Sequence, residues 1–323
     1  DTLPEVNEND LGFREYILGE GGVARARVRQ GTAGWRLDVA DELPDEFLDG
    51  LRRAVKAEDP DALLLGEVWE DASNKVSYGH RRRYLLGRQL DSVMNYPFRG
   101  AVLDFLRGGS AVDFFTRVMD VVENYPPQVL RGLMNSLGTH DTERALTVLA
   151  GEPADGRGRE WQAAQALTPG QRERGLRRMR LASALQYTLP GVPCVYYGDE
   201  AGMEGYRDPF NRGCYPWGKE DGGLLHWYRR LGQLRRNCPA LRQGDFRPLG
   251  GTDDALCYER AGDGSRLLCG INAGQEGAAF RLPEVWRGAT VSLGRGRIEG
   301  DTLFLPPEEC ALATLDGDGF AEK

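Results

Sequence analysis

The chain has 323 residues, of which 41% are hydrophobic and 28% are charged, and its formal net charge is -8. This length exceeds that of a usual single domain, so we expect one large domain and a smaller one. The sequence contains no run of about 18 apolar residues, which argues against a membrane partner, and the negative charge argues against nucleic acid.

Short apolar segments bounded by turn residues alternate with helical patterns along most of the chain. This alternation indicates βα units and a parallel sheet. The five predicted strands cover residues 34–40, 63–69, 92–97, 133–140 and 192–197.

Two helices are the clearest between these strands, at about residues 44–57 and 171–188. In the first, Phe47, Leu51 and Val55 are spaced four apart, so this face is expected to pack on the sheet. In the second, leucine and methionine are expected to point inward and the arginines outward into solvent.

Two stretches depart from the alternating pattern. Residues 151–170 are rich in glycine and polar residues and are predicted to form a long exposed loop. From about Arg242 onward, short strands with glycine-rich turns predict a separate domain, so we place the boundary between residues 1–242 and 243–323. The six cysteines lack C-x-x-C spacing, and we expect them to be reduced, mostly structural thiols.

Acidic residues close three of the predicted strands, where a parallel barrel carries its catalytic groups. In G-W-R-L-D-V-A, Arg36 and Asp38 are expected to share one side of a strand, and the guanidinium favours the ionised carboxylate of a nucleophile. In L-L-L-G-E-V-W, Glu67 follows three leucines, an apolar setting that favours the protonated carboxyl of a general acid. In L-G-T-H-D-T-E-R, His140 and Asp141 supply an imidazole donor and another carboxylate.

These carboxylates fit one kind of chemistry but do not require it. Retaining glycosidases use two carboxyl groups about 5 to 5.5 Å apart, and Asp38 and Glu67 on neighbouring strands are compatible with that spacing. Acidic residues also commonly cap helices or form surface pairs. Arg36 with Asp38 as a structural ion pair, and His140 as a core histidine, therefore remain open.

Three segments, G-W-R-L-D-V-A-D-E, L-L-G-E-V-W and L-G-T-H-D-T-E-R, resemble in order and spacing signature segments of the α-amylase family, glycoside hydrolase family 13. T-L-P-E-V-N-E-N-D is similar to a segment of the neopullulanase and cyclomaltodextrinase branch, and P-G-V-P-C-V-Y-Y-G-D-E-A-G to the family's last barrel strand. The resemblance implies an α/β fold, a (β/α)8 TIM barrel of which strands four to eight are visible here, followed by a small antiparallel β-sandwich.

The resemblance also implies a role for each residue at the strand ends. Asp38 is expected to be the catalytic nucleophile, Glu67 the general acid/base and Asp141 the stabiliser of the transition state. Arg36 is expected to orient the nucleophile, and His140 to bind the sugar that is cleaved.

Further substrate contacts follow from the same likeness. R-D-P-F-N-R is similar to a family loop in which Asp208 and Arg212 would hold hydroxyls of the same glucose, although a surface ion pair explains the spacing too. Trp69 is a candidate to contact the leaving-group sugar, with packing in the barrel as the alternative. Asp199 and Glu200 are expected to be structural.

One family feature is missing from the sequence. The Asp-x-x-x-Asn-His segment that ends the third strand in the family is absent, since the histidines are only His80, His140 and His226. An open five-stranded sheet would expose backbone and apolar surface. We therefore expect a C-terminal fragment that is weakly active alone, with the N-terminal half of the barrel on a longer precursor or a companion chain, or lost.

The expected function is hydrolysis of α-1,4 glucosidic bonds in maltodextrin-like α-glucans, with α-1,6 bonds as a second linkage, through a covalent glucosyl-Asp38 intermediate. A glucanotransferase with the same site is the first alternative, and a catalytically silent relative that binds a glycan or a protein is the second. No cofactor or metal is required by this chemistry, and calcium is left open. The expected localisation is cytoplasmic.

Overall fold

A computed structural model of the chain describes residues 6–315. The segment T-L-P-E-V-N-E-N-D starts at Thr2, so its first four residues lie outside the described residues, as does the end of the predicted β domain from residue 316. Along residues 6–315, every helix is too short or too polar to cross a lipid bilayer.

Eleven α-helices and fifteen β-strands are formed by the described residues. The helices are α1 (Leu11–Leu18), α2 (Val23–Arg29), α3 (Asp45–Glu58), α4 (Tyr96–Leu106), α5 (Ala111–Asn124), α6 (Pro127–Gly132), α7 (Ala145–Ala150), α8 (Arg159–Ala164), α9 (Pro169–Thr188), α10 (Gly222–Asn237) and α11 (Ala240–Gln243). The strands are β1 (Gly34–Leu37), β2 (Leu63–Gly66), β3 (Val76–Ser77), β4 (His80–Arg81), β5 (Ser92–Val93), β6 (Met134–Ser136), β7 (Val192–Cys194), β8 (Asp245–Gly251), β9 (Ala255–Gly262), β10 (Ser265–Asn272), β11 (Ala278–Arg281), β12 (Thr290–Gly294), β13 (Arg297–Glu299), β14 (Thr302–Leu305) and β15 (Glu309–Thr314).

The chain divides into two compact units. The first contains the residues up to Pro97 together with Glu123–Met134, and the second contains Phe98–Val122 together with the residues from Asn135 onward. The predicted domain boundary after residue 242 stays a prediction, because the compact units divide the chain elsewhere.

In the first unit, strands β1, β2 and β5 form a parallel sheet in that order. Gly34 lies opposite Leu63, and a Cβ added to Gly34 would lie only 2.1 Å from the Leu63 carbonyl oxygen. With its φ of 152° as well, this position accepts only glycine, which lets β1 and β2 pair closely. Beyond β5, Met94 forms a single parallel bridge to Met134.

Each predicted barrel strand contains an observed strand, but the observed strands are shorter. β1 ends at Leu37 and β2 ends at Gly66, so Asp38 and Glu67 both lie just past a strand rather than on it. The expectation that Asp38 belongs to the strand is therefore wrong, because the backbone turns away there and Val39 has a positive φ of 39°.

Helix α3 confirms the predicted apolar face. Phe47, Leu51 and Val55 are all buried, with Val55 fully so. Pro44 precedes the helix as its N-cap, and acidic Asp45 stands in the first turn, where it complements the helix dipole.

The predicted long loop at residues 151–170 is wrong in two places. It contains α8, and α9 already begins at Pro169, behind a capping box formed by Thr168 and Gln171. Trp161 of α8 packs edge-on against Tyr206 with ring centroids 5.2 Å apart, so a tertiary contact overrides the glycine-rich composition. On α9, the outward direction expected of all arginines fails at Arg178, which donates to the Leu149 carbonyl at 3.1 Å.

The second unit contains β7, the part of β6 from Asn135 onward, which pairs with β7, and two antiparallel sheets. One sheet has the order β12-β15-β10-β9-β8 and the other β11-β14-β13. A shared apolar cluster is centred on fully buried Trp286 and Leu303, and Trp286 Nε1 donates to Glu259 Oε2 at 3.0 Å. A larger core joins the other face of the five-stranded sheet to α9 and α10.

Candidate active site

In the first unit, one guanidinium contacts both predicted catalytic carboxylates. Arg36 Nη1 pairs with Asp38 Oδ1, and Arg36 Nη2 lies 2.9 Å from Glu67 Oε1. The two carboxyl groups therefore lie near each other, because both contact the same guanidinium. We call these three residues the Arg36 cluster.

Glu67 is almost completely buried, but its carboxyl group is not in apolar surroundings. Its Oε2 accepts a hydrogen bond from the Val39 backbone N–H at 3.0 Å, and the Tyr96 hydroxyl lies 3.4 Å from Oε1. The apolar setting inferred from the three preceding leucines is thus wrong at the carboxyl group itself, which has polar partners. Buried carboxyl groups need such partners, because water is no longer available to them.

The turn after β1 positions the Val39 backbone N–H that donates to Glu67. A β-branched residue at a φ of 39° is strained, which costs on the order of 1 to 3 kcal/mol. The neighbouring backbone offsets this cost, since Ala40 N–H donates to the Glu67 carbonyl at 3.1 Å and Glu67 N–H to the Leu37 carbonyl at 2.9 Å. Asp38 and Glu67 are consequently held by one fixed turn.

Asp38 and Trp69 face solvent, unlike Glu67. The Asp38 side chain is 74% exposed, so a ligand can reach it. Trp69 is 46% exposed and stacks on Tyr96 with ring centroids 4.3 Å apart and planes 9° from parallel. Sequence reasoning missed Tyr96, although a tyrosine near the end of the strand predicted at residues 92–97 combines a packing surface with a polar group.

In the second unit, four predicted residues meet in a second group, the Asp141 cluster. His140 Nε2 lies 2.9 Å from Asp141 Oδ2, and Arg212 Nη2 lies 3.7 Å from Asp141 Oδ1. Arg212 Nε also lies 3.0 Å from Asp208 Oδ1. All four side chains are between 32% and 56% exposed, so polar groups are left accessible to a ligand.

A buried framework, absent from the sequence predictions, supports the Asp141 cluster. Asn211 is fully buried, and its Nδ2 donates to the carbonyls of His140 and Thr142 at 2.8 Å each. Arg144 is also fully buried, and its Nε donates to the Asn211 carbonyl at 2.9 Å while its guanidinium covers the Tyr196 ring at 4.4 Å. The only sequence signal for them is their place beside predicted site residues, in T-E-R and F-N-R.

Asp199 lies next to this framework rather than among the accessible groups. It is 2% exposed and its Oδ1 lies 3.3 Å from Arg144 Nη1. Burial raises the pKa of Asp199 to about 7, and the nearby Arg144 opposes the shift. A Cβ on Gly138 would lie 2.7 Å from Asp199 Oδ2, which explains the glycine in L-G-T-H-D.

The described residues provide no evident metal centre. Among residues 6–315, no three histidine, cysteine, aspartate or glutamate side chains are grouped so that they could hold a metal ion.

The α-amylase catalytic domain matches residues 2–224, more than half of the chain and all of both clusters. The chain belongs to the α-amylase family.

Individual relatives agree with this assignment. A cyclomaltodextrinase of Geobacillus thermopakistaniensis is 35% identical over 97% of this chain and 50% of its own length. Neopullulanase 2 of Thermoactinomyces vulgaris is 36% identical over 76% of this chain and 37% of its own. A crystal structure of the Nostoc punctiforme debranching enzyme has a TM-score of 0.80 and 27% identity, covering 96% of this chain and 63% of that one.

These relationships bear on the fold and on length. The predicted TIM-barrel class, with a β domain at its C-terminal side, agrees with the family and its solved structures. The chain spans about half the length of the curated cyclomaltodextrinase that it matches. What the whole protein does is therefore a matter for proposal.

Proposed function

We propose that this chain carries the catalytic carboxylates of a retaining α-glucan hydrolase. The single observation that supports this most strongly is the Arg36 cluster, in which an accessible Asp38 and a buried Glu67 share one guanidinium. A surface ion pair would need only one of these acids. Relatives that are named cyclomaltodextrinase and neopullulanase favour α-glucans as the substrate class.

The proposed reaction proceeds in two displacements at the anomeric carbon. In the first, an Asp38 oxygen forms a bond to that carbon, the glycosidic C–O bond breaks, and Glu67 gives its proton to the leaving oxygen. In the second, Glu67 takes a proton from water, the water oxygen bonds to the anomeric carbon, and Asp38 is released. The net change is hydrolysis with retained configuration.

Arg36 fits this scheme by orienting the nucleophile. Its Nη1 pairs with Asp38 Oδ1, which restricts the direction from which the carboxylate meets the anomeric carbon. Its second contact, to Glu67, keeps the acid in a fixed orientation while the proton moves.

Roles in the Asp141 cluster rest on likeness to the family. Asp141 is assigned to stabilise the positive charge that develops on the sugar, and His140, Asp208 and Arg212 to bind its hydroxyl groups. These side chains are partly exposed and form ion pairs with each other, so a polar ligand can replace those ion pairs with contacts of its own. The proposed bonds are α-1,4 linkages of maltodextrins, with α-1,6 linkages as a second class.

The anomeric configuration of the first product tests the proposed chemistry. In the protein that carries this chain, NMR of a maltooligosaccharide or cyclomaltodextrin digest should show the α-anomer before mutarotation. Release of the β-anomer would overturn the scheme, because a single displacement inverts the configuration.

The same digest separates the alternatives. Adding an excess of maltose as acceptor would divert most product into longer chains if the protein were a glucanotransferase, whereas a hydrolase keeps releasing free sugar. A protein that binds maltooligosaccharides without any turnover would favour the catalytically silent relative. For variants of Asp38 or Glu67, Asp61→Asn is a suitable control, since Asp61 is an exposed acid of the same unit and lies outside the Arg36 cluster.

A further inference from the structure

A cavity of about 310 Å³ lies in the second unit, outside the Asp141 cluster. One wall is formed by α9 and α10, and the other by the end of β12 and the start of β15. On α10 the cavity-lining residues Gly223, His226, Trp227 and Arg230 follow the spacing of one helical face. This volume is near the lower end of that of small-molecule sites.

The charge of this cavity is opposite to that of the chain. Four arginines line it against two carboxylates, an excess of two positive charges in a protein whose formal net charge is -8. The four arginines are Arg177, Arg180, Arg230 and Arg295, and the two acids are Glu308 and Glu309. A concave surface of one sign concentrates ions of the opposite sign.

Both acids in the cavity form ion pairs with arginines, and the Arg180 cation remains unpaired among the described residues. Arg177 Nε lies 2.7 Å from Glu308 Oε2, and Arg295 Nε lies 3.6 Å from Glu309 Oε1. The Arg180 guanidinium forms neither a hydrogen bond nor an ion pair with any residue between 6 and 315, and it is only partly exposed. An added Cβ at Gly223 would lie 3.2 Å from Arg180 Nη2, so this cation reaches across to α10.

We propose that this cavity binds a small phosphate-bearing anion. A guanidinium matches phosphate oxygens with two parallel hydrogen bonds, and Arg180 has its donors available for them. Trp227 and Leu293 add apolar surface beside the arginines, and the indole is fixed because Trp227 Nε1 donates to Ser183 Oγ at 3.0 Å. Inorganic phosphate and a phosphorylated sugar share this chemistry.

Occupation of the cavity would connect the two elements that form its walls. A ligand held by Arg180 of α9 and Arg295 beyond β12 stabilises the folded state by an amount that grows with the logarithm of its free concentration above Kd, because the unfolded chain offers no such site. The expected result, at constant ionic strength, is a melting temperature that rises with the logarithm of phosphate concentration and does not rise with chloride.

Calorimetric titration tests the proposal directly. Inorganic phosphate and glucose 6-phosphate are titrated separately into the protein at constant ionic strength, with chloride as the reference anion. The test variant is Arg180→Gln, and the matched control is Arg174→Gln, an exposed arginine of the same helix that does not line the cavity. Neither residue belongs to the Arg36 or Asp141 cluster.

We expect saturable phosphate binding that Arg180→Gln weakens about tenfold or more and Arg174→Gln leaves unchanged. Tighter binding of glucose 6-phosphate would support a sugar phosphate at the site, and equal binding would support inorganic phosphate. No heat beyond that of chloride, or equal weakening by both variants, would overturn the proposal. Circular dichroism of each variant shows whether it is folded, and Arg180→Lys, which keeps the charge, should retain more affinity than Arg180→Gln.

Discussion

The Arg36 cluster and the Asp141 cluster are built in different ways. In the Arg36 cluster, charged side chains hold each other, and one of them is the buried Glu67. In the Asp141 cluster, the charged side chains are partly exposed, and a separate buried framework of Asn211 and Arg144 fixes the backbone behind them. Function and stability should therefore be coupled at Arg36 and the buried Glu67, and separable at the exposed Asp38 and in the Asp141 cluster.

The largest expected effect is that of Asp38→Asn on turnover. Removing the nucleophile's charge should lower kcat/KM for maltooligosaccharides on the order of 10³-fold or more. Stability should change by less than about 1 kcal/mol, because an exposed ion pair contributes little. Urea unfolding measured beside the kinetics checks both statements, and a large loss of stability with retained turnover would mark the pair as structural.

Glu67→Gln should lower turnover somewhat less than Asp38→Asn, and only for substrates whose leaving group needs a proton. On maltooligosaccharides we expect a loss of about 10²- to 10³-fold, as for removal of a general acid. With a glucosyl fluoride as substrate, the leaving group is fluoride, which needs no proton. The first step should therefore continue and appear as a burst in stopped-flow measurements. Equal losses on both substrates would contradict the acid role.

Arg36→Gln tests the coupling within the first cluster. It leaves Glu67 buried without its cation, which should lower the free energy of unfolding by about 2 to 3 kcal/mol. Arg36→Lys retains a charge and should lose less. Denaturant titration of both variants compares them, and a loss for Arg36→Gln no larger than that of Asp38→Asn would show that Glu67 does not depend on Arg36.

Near the framework of the second cluster, Asp199 should make the free energy of unfolding depend on pH. Because burial raises the pKa of Asp199 from 3.8 to about 7, the folded state binds more protons than the unfolded state between these values. Stability contributed by the protonated form is thus present at low pH and is lost as pH rises through about 7, by at most about 1.4 kcal/mol per pH unit. Asp199→Asn should flatten this slope in urea unfolding between about pH 4 and 7, and an unchanged slope would contradict the raised pKa.

The smallest effect on stability is expected for Arg212→Gln. Its ion pairs are half-exposed, so the free energy of unfolding should change by less than about 1 kcal/mol. KM should nevertheless rise about tenfold, since a charged contact to the substrate is lost. Steady-state kinetics with maltotriose measures it, and a destabilisation as large as that of Arg36→Gln would remove the contrast between the clusters.

The sequence predicts the strands, the helices and the charged site residues better than it predicts the contacts between them. The positions of five short strands and the apolar face of α3 follow from local periodicity, which neighbours along the chain determine. The strand ends at Leu37 and Gly66 do not, because the positive φ of Val39 and its hydrogen bond to Glu67 depend on residues far apart in sequence.

The same limit explains what was missed in the site. Tyr96, Arg144 and Asn211 bear no signature by themselves, and each matters through a backbone carbonyl or ring that only folding brings near. The composition of residues 151–170 predicts a loop where α8 forms, because the contact of Trp161 with Tyr206 lies across 45 residues, beyond any local pattern.

The most direct test of the account is to trap the covalent intermediate. An activated fluoro-glucoside slows the second displacement more than the first, so the sugar should accumulate on the nucleophile. Peptide mass spectrometry should then find one glucosyl group on Asp38 in the natural protein and none in Asp38→Asn. A glucosyl group on Glu67 or on another acid, in a protein that turns over maltooligosaccharides, would contradict the assignment.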